Sequence, residues 1–118
     1  MHFSKQGDFY QGAHISGPRH VFLAVAFDAA PVEQITVEAL PPAGTCTHGP
    51  LDPAAILAAV ERGLAAANQE FRLTWAIRHI QYVSNDTGPE SLYELIVRRI
   101  IERRAQGQPF AEAPVQPG

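Results

Sequence analysis

Five histidines, His2, His14, His20, His48 and His79, and one cysteine, Cys46, are the side chains with the most chemistry to offer. An imidazole can bind a metal or move a proton near neutral pH. No two of the five stand four apart, the spacing that places two ligands on one face of a helix. Acid–base or metal work would need His14, His20 and an acid such as Asp86 to meet through space, and the plainer reading is surface histidines. His79 follows the apolar parity of a strand, which reads as a satisfied core residue. Cys46 and His48 share a proline-rich loop with no third group to orient them, so a thiol nucleophile has little support. Arg98, Arg99, Arg103 and Arg104 crowd one helix end. They could contact phosphates, but Glu94 and Glu102 interleave with them, and a solvated helix end explains them more cheaply.

No Gly-x-Gly-x-x-Gly, Walker-type loop or Gly-x-Ser-x-Gly occurs, and Lys5 is the only lysine. No catalytic residue, cofactor or metal is therefore expected.

The elements that would hold these residues follow from periodicity. Arg19 to Asp28 alternates, with Val21, Leu23, Val25 and Phe27 on one side and His20, Phe22, Ala24, Ala26 and Asp28 on the other. Glu33 to Ala39 alternates again, with Ile35 and Val37 against Gln34, Thr36 and Glu38, and lies close enough in sequence to pair antiparallel with the first strand. Asp8 to Gly12 adds a short edge strand. Pro41 to Pro50 is a loop by composition. It leads to a helix with Asp52 as N-cap and Pro53 at the first helical position, running to about Asn68. Ile56, Val60, Leu64 and Ala67 recur on it at helical spacing, and Gly63 would allow close approach to the sheet.

Arg72 to Val83 is the third clear strand, with Leu73, Trp75 and Ile77 on one face and Thr74, Ala76, Arg78, Ile80 and Tyr82 on the other. Ser84-Asn-Asp86 is a turn. Thr87 and Glu90 have capping-box spacing and open a second helix, with Leu92, Leu95, Ile96 and Ile100 in its apolar surface. The expected fold is an α+β two-layer sandwich of order β-β-(loop)-α-β-α, with both helices on one face of a mostly antiparallel sheet. The other face would stay open and present Phe22, Ala24, Ala26, Thr36, Ile80 and Tyr82.

At 118 residues and 46% hydrophobic, the chain fits one domain. Residues 1–105 read as that domain, and 106–118, rich in proline and without periodicity, read as a flexible tail. A two-domain enzyme is excluded. The longest apolar run, Val21 to Phe27, is too short to span a membrane, and no leader opens the chain, so a cytoplasmic protein without membrane contact is expected. A lone cysteine provides no internal disulfide. The net charge of -3 argues against a general nucleic-acid binder, though local basic patches are compatible with it.

His14-Ile-Ser-Gly-Pro-Arg-His20 leading into Val21-Phe-Leu-Ala-Val25, the Ala-Val-Glu-Arg-Gly-Leu run that ends at Leu64, and the strand, turn and helix from Thr74 onward follow one another in a known order. By these motifs residues 14–105 resemble the fourth domain of the bacterial translocation factor, elongation factor G, and its ribosomal-protection relatives. The resemblance implies a left-handed βαβ crossover, against the usual hand, and motivates two tip loops that would engage RNA or a protein partner. It departs from the family pattern where Pro18 replaces a glycine, leaving Arg19 as the only cation of the first loop. Ser84, Asn85 and Asp86 stand in the second loop without the family's histidine. No nucleotide-binding domain accompanies it, so translocation activity is not expected.

These readings converge on a non-catalytic, stand-alone binding module for RNA, the ribosome or a protein partner. Its tip loops would be Ser16, Gly17, Arg19 and His20, with Ser84, Asn85, Asp86 and Thr87. The alternative is a self-associating scaffold subunit, a homodimer that buries the open face through Phe22, Ile80 and Tyr82. A small enzyme using His14, His20 or His79 comes third.

Overall fold

The alternation from Arg19 to Asp28 makes the longest strand, and the sheet is built outward from it. The computed structural model describes residues 1–16, 19–41, 51–84 and 90–112. The elements run β1 (His2–Gln6), β2 (Phe9–Ser16), β3 (Arg19–Asp28), β4 (Thr36–Leu40), α1 (Pro53–Phe71), β5 (Ala76–Val83), α2 (Glu90–Ala105) and β6 (Ala111–Glu112). The strands form one mixed sheet in the order β4-β5-β3-β2-β1-β6. β1–β2, β2–β3 and β3–β5 pair antiparallel, while β4–β5 and β1–β6 pair parallel.

Val21, Leu23 and Val25 share one face of β3 and belong to a single buried cluster with Ile56 and Val60 of α1 and with Tyr93, Ile96, Val97, Ile100 and Ile101 of α2. Both helices therefore cover the same face, as expected for the α+β sandwich. Asp52 caps α1 by accepting a hydrogen bond from the Ala54 N–H at 3.0 Å, with Pro53 following it. Gly63 serves a different contact from the expected one. A Cβ there would lie 2.6 Å from the Glu94 carbonyl oxygen and 3.0 Å from Val97 Cγ1, so the glycine brings α1 against α2 rather than against the sheet.

Four expectations need correction. β4 does not pair with β3, because β5 enters between them. The strongly apolar β5 takes the interior place, where both of its edges are bonded, and the short, largely exposed β4 is left at the rim. The N-terminal hairpin is larger than a single edge strand: β2 has eight residues and is flanked by β1 and β3. β5 begins at Ala76 rather than Arg72, since Arg72 ends α1 in the left-handed conformation at φ 56°. The Asn68 side chain bonds the Trp75 backbone at both C=O and N–H, at 2.9 and 3.3 Å, and so guides the chain from helix to strand.

The fourth correction concerns parity. Ala26 is opposite His79 while the next residue, Phe27, is opposite Ile77, so Arg78 is an extra residue in β5. Such a bulge breaks the two-residue period. Ile77 faces the helices before it, and Ile80 and Tyr82 face them after it. Ile80 is fully buried and Tyr82 is 3% exposed, so neither lies on the open face. His79, expected in the core, lies on the open face instead.

Candidate functional site on the uncovered sheet face

No described helix or strand packs over the sheet face opposite α1 and α2. Cross-strand register assembles its centre. Gln11 and Gln81 flank Ala24 on β3, and Phe9 and His79 flank Ala26. Both alanines are fully buried under these larger neighbours, so they form the floor of a trough rather than exposed surface. At one end it opens into a depression of about 490 Å³ lined by Gln6, Asp8, Phe9, Gln11, Arg78, His79 and Gln81.

Hydrogen bonds hold both walls. Ser4 Oγ donates to Gln11 Oε1 at 2.9 Å, and Gln11 Nε2 donates to Gln6 Oε1 at 3.3 Å. On the other side Glu38 Oε1 accepts from His79 Nε2 at 2.8 Å and from Gln81 Nε2 at 3.1 Å. Both donors favour the ionised carboxylate, so the Gln81 amide first and the His79 imidazole second hold the Glu38 carboxyl below its ordinary range. Phe9 meets the His79 ring edge-on at 5.1 Å. Asp8 and Arg78 form an ion pair at 3.1 Å beside the depression.

A carboxylate on an imidazole is an arrangement that orients a general base. His79 is 26% exposed in this pair, and its floor is a shallow sheet surface. His14 is opposite Val21 and so faces the helix side, away from His79. Among the described residues, no three His, Cys, Asp or Glu side chains gather where they would hold a metal ion. The trough presents amide groups, an imidazole and an aromatic ring on which a ligand could hydrogen-bond and stack.

The remaining sites divide clearly. Ser16 and Arg19 pair at the end of the β2–β3 hairpin, and the Ser84 N–H donates to the Leu40 carbonyl. Because β3 and β5 are antiparallel, the start of β3 and the end of β5 lie at one end of the sheet. The backbone of His20 lies in β3. Gly17, Asn85, Asp86 and Thr87 lie outside the described residues, as do Cys46 and His48. Phe22 is on the uncovered face, opposite Ala13 and half-buried.

Sequence pattern alone does not single out Phe9, Gln11, Glu38 or Gln81 as site residues. Glu38 stood on the polar side of its strand and was the available signal, but its partner depended on the β4–β5 register.

The α2 arginines are occupied within the fold. Arg98 pairs with Glu70 at 3.1 Å and Arg99 with Glu102 at 3.2 Å. The Arg103 guanidinium lies over Phe3 and Phe110, and that of Arg104 over Tyr10, Phe27 and Trp75 at 4.9, 5.0 and 4.7 Å. A cation over ring faces is attracted by the ring quadrupole. The helix end therefore has less free positive charge than its sequence suggests. No helix among the described residues is long and apolar enough to cross a membrane. No protein-family model, curated protein or solved structure matches the chain.

Proposed function

We propose that the chain is a non-catalytic, stand-alone binding module that engages a protein partner through the uncovered sheet face. The observation that carries this reading is the trough itself: a floor of buried Ala24 and Ala26 between Phe9, Gln11, His79 and Gln81, with the polar walls held by hydrogen bonds. Protein interfaces favour aromatic groups and few charges at the centre. Among the described residues, the charges beside this trough are Glu38, Asp8 and Arg78, the last paired with Asp8, and they leave no cationic surplus for a phosphate backbone. Preset side chains also lower the entropy cost of binding.

RNA or ribosome contact through the tip loops, the role suggested by the translation-factor resemblance, is the competing outcome of the same experiment. Immobilised full-length chain is compared with the Gln11→Arg/Gln81→Arg double variant for proteins captured from lysate, with and without ribonuclease. Capture should be specific, fall at least about tenfold in the variant, the equivalent of losing one strong contact, and resist ribonuclease. Capture that is equal for both chains, or that ribonuclease abolishes, would sink the protein-partner reading.

A further inference from the structure

Residues 106–112, the described part of the segment read as a tail, return to the sheet. Gly107 turns the chain at φ 69° after α2, and the Gln108 N–H donates to the Arg103 carbonyl at 2.9 Å. Arg103 Nε donates to the Pro109 carbonyl at 2.9 Å. Phe110 then sits edge-on to Tyr10 at 4.9 Å and to Phe3 at 6.4 Å, with the Arg103 guanidinium over both Phe3 and Phe110. Ala111 and Glu112 pair in parallel with Ser4 and Lys5 of β1.

The outer edge of β1 is thus already used as a strand-docking site, with the chain's own segment as ligand. Recognition of this kind takes affinity from main-chain bonds and selectivity from side-chain slots. Among the described residues, the resident ladder pairs two of the five residues of β1.

We propose that this edge and the Phe3–Tyr10–Arg103 slot form a strand-exchange interface, in which Phe110–Glu112 of a second copy of this chain replaces the resident segment. The occupant follows from the fit already present: a second copy carries a segment of identical sequence. Ser4 serves both surfaces, its backbone at this edge and its side chain in the trough wall, but the proposal does not depend on the trough being a binding site.

Concentration decides between the two states. A short tether gives the resident segment an effective concentration in about the millimolar range, so the native chain closes on itself at micromolar concentration. The left-handed turn at Gly107 is the sensitive point. A side chain there disfavours the turn about tenfold. Exchange between copies has no need of that turn, so Gly107→Val penalises closure alone and favours a reciprocal dimer.

Sedimentation equilibrium of the full-length chain from about 10 to about 500 µM tests this competition, the range lying below the effective concentration of the tether. The native chain should stay largely monomeric. Gly107→Val should dimerise at concentrations about a hundredfold lower than the native chain needs, because each of the two protomers escapes the roughly tenfold penalty on closure. Adding Phe110→Ala, or an excess of synthetic peptide with the sequence of residues 106–118, should dissolve that dimer. Amides of β1 in Gly107→Val should gain exchange protection as the concentration rises. A Gly107→Val chain that stays monomeric throughout, a dimer that survives Phe110→Ala, or β1 protection independent of concentration overturns the proposal.

Discussion

At the scale of single residues, Glu38 sets the geometry of the trough by accepting from both His79 and Gln81. Its carboxyl is shifted below the ordinary 4.5 in the folded chain, so its ionised form is favoured by folding. Stability from this group is therefore complete above its unfolded value and is lost as pH falls through the lower folded value. Glu38→Gln should flatten that part of the acid limb by lowering stability near neutrality and leaving it unchanged at the acid end, and the loss should be small because the site is exposed. Urea midpoints measured from about pH 2.5 to about pH 6, bracketing the carboxylate range, check this. An acid limb identical in both chains would show that the pair contributes nothing.

At the scale of elements, the contact of α1 with α2 depends on Gly63. Replacing an ordinary helical glycine by alanine stabilises by up to about 1 kcal/mol. Here the added methyl meets a backbone carbonyl that cannot rotate away, so Gly63→Ala should instead destabilise by about 1–3 kcal/mol through overpacking. Chemical denaturation of this variant beside Ala58→Gly, an exposed change on the same helix that should lose about 1 kcal/mol, separates packing from propensity. A net gain in Gly63→Ala would mean that the helices can part without loss. The bulge at Arg78 is the other decisive element feature, because it turns Ile80 and Tyr82 inward and leaves His79 to Glu38. Residues in one strand can thus change faces without any break in the sequence pattern.

At the scale of the whole molecule, stability should be graded across the sheet. β3 and β5 are interior strands whose apolar residues lie in the central cluster, whereas β6 contributes two paired residues at the rim. Hydrogen exchange of the native chain should release β6 and the outer edge of β1 first, with β3 and β5 opening only near global unfolding. Simultaneous exchange of all strands would show that the returning segment is locked into the core. The same grading suits a rim that exchanges partners while the trough stays rigid.

The sequence alone determined the α+β class, the alternation of β3, the start of α1 at Asp52-Pro53 and the apolar surface of α2, because each rests on a local period or cap. It also marked Phe22 as a residue of the uncovered face and Glu38 as one of a polar strand side. Only the tertiary structure decided that β5 separates β3 from β4, that Arg78 is bulged, that His79 meets Glu38 and that Phe110 returns to β1. The reason is physical. Local patterns tell which side of a strand is apolar, but strand order, register and the docking of a tail depend on non-local hydrogen bonds and shared burial, which no short stretch of sequence contains.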